Sequence, residues 1–224
     1  MTFTTDNIAG TDAIPELESR RARYAETGIY PFLIGGAEEL DRVRESAEFN
    51  NQTSDDIICG ALEVKREAWI AKHRAEAEEF EFSPEDVYGR WPGERSDKGA
   101  VSLHRDVLSG RIKRNVFLGS TPIKEPWHLP AVLKYGGWND CPEPEVHCAF
   151  FHQWQAEYGA EIAGMSGDVI ECIVGRPPRD QTAAIELAWQ QYWYCSDIVE
   201  QGCGSVSSLA ATLLNSPYWY FWWD

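Results

Sequence analysis

The stretch "PYWYFWWD", residues 217–224, decides how the fold is read, because it sets six aromatic side chains in an unbroken row. Aromatic residues favour strands, and strand alternation sends Tyr218, Tyr220 and Trp222 to one face and Trp219, Phe221 and Trp223 to the other. A strand apolar on both faces fits the interior of a sheet covered on each side. The expectation is therefore an aromatic C-terminal strand in the sheet interior. Asp224 follows it with a charge that needs water or a cation, and Arg176 and Arg179 are the nearest bases in sequence.

Upstream of this strand, "EIAGM" and "VIECIV" flank "SGD" (166–168), the pattern of two strands joined by a tight turn. "EPEVHCAFFHQWQAEYG" (143–159) has Val146, Ala149, Phe150 and Trp154 at helical spacing, with Pro144 at the start and Gly159 at the stop. "DQTAAIELAWQQYWYC" (180–195) and "SVSSLAATLLN" (205–215) carry two more apolar stripes and predict two more helices. Nearer the start, "TGIYPFLIGG" (27–36) reads as a buried strand and 37–49 as an amphipathic helix. Ser54 is the expected cap of a helix running from 55 to about 79, whose acidic end "AEAEEFEF" reads as a solvated face. Ser83 and Pro84 open a short helix ending at Gly89, and "RNVFLGS" (114–120) is a strand. The fold class expected is α+β, a mixed β-sheet with helices packed on it. The expected division is an N-terminal half over 1–113, with a Gly- and Pro-bearing linker at 91–113, and a C-terminal domain over 114–224.

Charge is distributed unevenly. Residues 91–135 carry eight bases against four acids, whereas residues 136–224 carry twelve acids and only Arg176 and Arg179 as bases. That final segment repels phosphate backbones, so no nucleic-acid or anionic-membrane partner is expected and a basic protein partner fits better. No apolar run approaches the roughly 20 residues of a membrane helix, and residues 1–21 lack the basic and apolar regions of a secretory signal, so a cytoplasmic address is expected. The six cysteines include no Cys-x-x-Cys pair and read as reduced, mostly buried thiols.

Five ordered motifs, "YGGWNDCPEPEVH" (135–147), "WQAEYGAEI" (154–162), "VGRPP" (174–178), "YCSDIVEQG" (194–202) and "YWYFWWD" (218–224), together resemble the bacterial domain-of-unknown-function family 4253. The resemblance is dense over residues 128–224 and rests on fragments such as "GIYPFLIGG" and "VYGRWP" upstream. It implies a shared fold and a shared surface, and it implies no reaction.

The candidate binding residues are Trp138, Asn139, Asp140 and Glu145 around a helix start, Tyr194, Asp197 and Gln201 at a helix end, and Asp224. Each has a plainer role as well: carboxylates at 140–145 suit a helix N-terminus, and Asp197 and Gln201 can tie a loop to backbone groups. Were the two loops to meet near Asp224, the acids Asp140, Asp197 and Asp224 would form a cluster for a cation or a basic side chain. Glu145, Cys148 and His152 have the spacing of zinc ligands on one helix but no second pair, so no metal and no cofactor is expected. The leading expectation is a protein-binding module with an acidic, aromatic-rich surface, in the manner of an immunity protein or antitoxin facing a cationic toxin. The alternative is a small metal-dependent or acid/base hydrolase using Asp140, Asp197 and Glu145, with His147 or Cys195. A third reading, a subunit whose aromatic end docks in an oligomer, expects exposed aromatics.

Overall fold

The computed structural model describes residues 3–80, 82–95 and 99–224. In chain order the elements are β1 (Thr4–Ala9), α1 (Ala13–Ala22), α2 (Tyr24–Thr27), β2 (Ile29–Gly35), α3 (Ala37–Phe49), α4 (Ser54–Glu63), α5 (Arg66–Glu79), α6 (Pro84–Tyr88), β3 (Asn115–Pro122), α7 (Leu129–Leu133), α8 (Pro144–Tyr158), β4 (Ala160–Met165), β5 (Val169–Val174), α9 (Gln181–Tyr194), α10 (Val206–Leu213) and β6 (Tyr218–Trp222). A π-helical turn, Ile198–Cys203, lies between α9 and α10. No described helix is long and apolar enough to cross a membrane.

The strands form one mixed sheet in the order β1-β3-β2-β4-β5-β6, and the class is α+β. All neighbours are antiparallel except β2 and β4, which run parallel with Leu33 opposite Gly164. β3, from the expected C-terminal domain, lies between β1 and β2 of the expected N-terminal half. The boundary expected at 113/114 thus marks a point in the chain where the sheet itself is continuous. Close approach is built in here: a Cβ on Gly119 of β3 would fall 2.3 Å from the ring of Phe32 on β2, so only glycine fits.

Strand alternation divides the sheet's side chains between two cores. Phe32, Ile34, Ile162, Ile170 and Cys172 face a large core roofed by α3, α4, α7, α8, α9 and α10. Leu33, Val116, Leu118, Ala163 and Val169 face a smaller one, closed by Ala13 and Leu17 of α1 and by Val101 and Leu103. The segment expected as a linker therefore supplies cover to the second face. Glu171 of β5 holds it there: the buried carboxylate accepts from the backbone N–H groups of Ser102 (2.8 Å) and Leu103 (3.2 Å) and from the Ser102 hydroxyl.

Two expectations need correction. β6 is an edge strand, paired only with β5, and not an interior one. Its two faces are aromatic as expected, but unequally covered: Trp219, Phe221 and Trp223 are buried in the large core, while Tyr218 and Trp222 are only partly covered and Tyr220 is 46% exposed. Helices roof one face completely, whereas a loop roofs the other, and the outer edge is met by the 195–203 segment, where the Cys195 thiol donates to the Trp222 carbonyl at 3.0 Å. Second, the helix expected over 55–79 is two helices, broken at the extended residues Val64 and Lys65, and its cap is Thr53, which forms a reciprocal capping box with Asp56. The two pieces serve different neighbours, α4 packing on α7 and α8 and α5 on α8 and α9. The chain also begins with a strand where no element was expected: β1 is an edge strand mostly exposed along its length, and therefore without an apolar signal.

Candidate functional site

The segment between α7 and α8 folds back tightly over the start of α8. Gly136 takes φ +112°, and a Cβ there would fall 1.9 Å from the Pro142 carbonyl oxygen and 2.8 Å from the His147 ring. Asn139 adopts the left-handed region at φ +45°, where asparagine is among the few residues other than glycine that settle. This turn aims Trp138, Asn139 and Asp140 outward and draws His147 beneath it. His147 is fully buried among Tyr135, Tyr194 and Trp223, with ring centroids 5.1–5.4 Å away. Its Nδ1 is hydrogen-bonded to the Tyr194 hydroxyl, and Nε2 lies 3.4 Å from Cys141 Sγ. Burial pushes the imidazole down to about 3, with a hydrogen bond to the Pro142 carbonyl acting weakly the other way, so the ring is neutral.

The expected loops do meet at the end of β6. The Asn139 side-chain amide donates to the Asp224 backbone oxygen at 2.8 Å, the Asp224 N–H donates to Asp197 Oδ2 at 3.0 Å, and the Gln201 amide donates to Asp197 Oδ1 at 2.8 Å. Trp138 packs edge-on against Tyr135 at 4.9 Å, and Tyr194 lies directly below through His147. Seven of the eight candidate residues thus belong to one neighbourhood, with Asp140 exposed beside Asn139. Glu145 does not join them. Its side chain lies against α4, packing where a Cβ of Gly60 would be and accepting from Gln52.

Both carboxylate oxygens of Asp197 are used by this tie, and no group of three or more His, Cys, Asp or Glu among the described residues is arranged to hold a metal ion. Asp197 and the Asp224 backbone fasten loops to the strand end, and Asp140 stands outside this tie. Arg176 and Arg179 stand elsewhere as well: Arg176 donates to the Ala156 carbonyl at the C-terminal turn of α8, and Arg179 to Asn215. The helix spacing that suggested zinc is not realised, since Cys148 is fully buried and His152 is exposed against Trp127. Burial raises the thiol pKa values of Cys141, Cys148 and Cys172, and Cys195 is pushed up to about 12 by burial, partly offset by hydrogen bonds to Trp222 and Ile198. These are reluctant nucleophiles.

Beside the turn opens a groove of about 740 Å³. Trp69 and His73 of α5, together with Phe80 and Phe82, build one wall; the 137–143 loop and the end of α9 build the other. Phe80 is 85% exposed, Trp69 stacks on His73 at 3.7 Å, and Phe82 packs edge-on against Trp193 at 5.2 Å. Asp140, Glu143 and Glu200 are exposed carboxylates on the loop side, Glu200 accepting from the Tyr192 hydroxyl at 2.8 Å. Among the described residues none of the three has a cationic partner, while Lys72 on the opposite wall is paired with Glu76. The α5 wall is not among the sequence expectations. Its signal was "EEFEF" (78–82), where two phenylalanines interrupt a run of acids that otherwise reads as solvated.

Residues 117–224, which carry the loops, the helix α8, and the strand end just described, match the family described as Domain of unknown function (DUF4253). The C-terminal half of the chain is a DUF4253 domain. Comparison with curated proteins and with solved structures finds no match. The DUF4253 segment provides one wall of the groove and α5, which precedes it, provides the other.

Proposed function

We propose that the protein is a binding module whose groove between α5 and the 137–143 loop receives a basic segment of a partner protein. The observation that carries this is the contrast in ion pairing. Many bases of the N-terminal half are committed within the chain, Arg20 to Asp6 and Glu16, Arg21 to Glu161, Arg66 to Glu157 and Lys113 to Glu39. Asp140, Glu143 and Glu200, beside the exposed Phe80 and the half-buried Trp69, Phe82 and Trp193, are left for a cation from elsewhere. Aromatic anchors flanked by charge are the usual arrangement of interaction surfaces, and a lysine or arginine over Trp193 or Phe80 would add cation–π attraction. An immunity- or antitoxin-like role against a cationic toxin is the concrete form of this reading.

The hydrolase alternative draws less support. Glu145 faces away from Asp140 and Asp197, and both His147 and Cys195 are buried under the turn. The oligomer reading has only Tyr220 and the partly covered face of β6 to rest on.

The test is capture of basic proteins from the host lysate by the tagged chain at low and high salt, alongside the triple variant Asp140→Asn, Glu143→Gln, Glu200→Gln. Capture of a basic protein that high salt releases, and that the triple variant loses while keeping its melting temperature, is the expected result. Equal capture by the variant, or capture indifferent to salt, overturns the proposal.

A further inference from the structure

On the far side of the 195–203 segment from the groove lies a second cavity, of about 350 Å³, between α9, the π-helical turn, α10 and β6. Most of its wall is apolar, with Ile198, Leu209 and Leu213 among the lining side chains. Two polar side chains without a hydrogen-bond partner among the described residues interrupt that wall. Gln191 of α9 is fully buried, and among the described residues neither its carboxamide oxygen nor its nitrogen has a hydrogen-bond partner; Trp219 of β6 is 2% exposed, and its indole N–H has none among them either. Buried amides in native proteins almost always find partners, and a carboxamide missing on both atoms is a rare defect unless something else fills the place. A single water there would meet Gln191 and Trp219 but would leave the apolar remainder of the cavity unfilled. At the mouth stands Arg95, exposed and without an ion pair among the described residues.

An apolar cavity with a few converging polar groups is the usual form of a small-molecule site, and the volume is within the ordinary range of about 300–1,000 Å³. We propose that this cavity binds a small carboxylate with an apolar body and an inner amide, of the N-acyl amino acid type. The inner N–H donates to Gln191 Oε1, the inner carbonyl, which points the opposite way in a trans amide, accepts from Trp219 Nε1, and the carboxylate meets the Arg95 guanidinium at the entrance. The inference does not rest on the groove or on its basic partner, since it uses different residues and a different ligand class.

The test uses the full chain with three probes, N-acetyl-L-phenylalanine, its uncharged amide, and 3-phenylpropionate, read by calorimetry and by the shift in melting temperature. N-acetyl-L-phenylalanine is expected to bind best and to raise the melting temperature. Gln191→Leu should weaken it by about tenfold or more and leave 3-phenylpropionate unchanged, because only the former uses the carboxamide. Arg95→Gln should erase the difference between the acid and its amide. Arg95 is exposed, so this variant keeps the test intact should Gln191→Leu fail to fold. Absence of binding by all three probes at about 10 mM, equal affinity in wild type and Gln191→Leu, or an unchanged preference for the acid in Arg95→Gln overturns the proposal.

Discussion

His147 shows how little of a residue's role its identity discloses. Its place near the start of a helix, close to Asp140 and Glu145 in sequence, left it among possible catalytic groups, yet the chain buries it completely and pairs it with Tyr194 and Cys141. The consequence is a pH dependence with a definite sign. In the unfolded chain the imidazole has a pKa near 6.5 and in the fold it is held near 3, so below 6.5 the unfolded state binds the proton that the fold excludes. Stability that is fully present above pH 6.5 should therefore decline as pH falls toward 3, by an amount on the order of a few kcal/mol. Denaturant titrations of wild type and His147→Gln across that range should show a shallower decline in the variant. Equal slopes would mean that carboxylates alone set the acid limit. The meeting of Asn139, Asp197, Gln201 and Asp224 was anticipated by sign and motif order, but which atoms bond was not, since each of these side chains has several local alternatives.

At the scale of elements, β6 is the instructive case. Its alternation is visible in the residues, and both faces do meet apolar neighbours. Its position at the sheet edge is not visible, because an edge strand whose faces are both covered reads the same as a central one. The difference is measurable. Phe221→Ala should cost about 3–5 kcal/mol, the usual range for a buried ring, while Tyr220→Ala, at 46% exposure, should cost about 1 kcal/mol or less. Comparable losses at both positions would show that Tyr220 is covered. The helix broken after Glu63 offers a second check: Thr53→Ala removes a reciprocal cap and should cost about 1 kcal/mol, whereas Ser54→Ala should be nearly neutral. On β5, Glu171→Leu leaves the Ser102 and Leu103 N–H groups unmet, so hydrogen exchange over 99–113 should accelerate well before the rest of the sheet.

For the molecule as a whole, the shared sheet is what matters. β3 opens the C-terminal stretch but pairs on both sides with strands from before residue 36, and the large core mixes Tyr30, Phe32, Leu40 and Ile57 with Phe150, Trp154 and Phe221. A fragment covering 114–224 would expose both edges of β3 and one side of that core. Its urea unfolding should be less steep and less cooperative than that of the full chain, and the fragment should self-associate; a sharp, monomeric transition would show that it folds alone. Local order was readable in advance: periodicities of two and 3.6, capping residues, and glycine stops follow from steric and hydrogen-bonding rules that act within a few residues, and they placed most of the helices and the β4–β5 hairpin. The charge division was readable because it is a count. Strand order, the second role of the 91–113 segment, the α5 wall of the groove and the orphaned amide of Gln191 came only with the folded chain. Each depends on residues tens of positions apart being brought into contact, and the free energy that selects such contacts is a sum over the whole core that no local window contains.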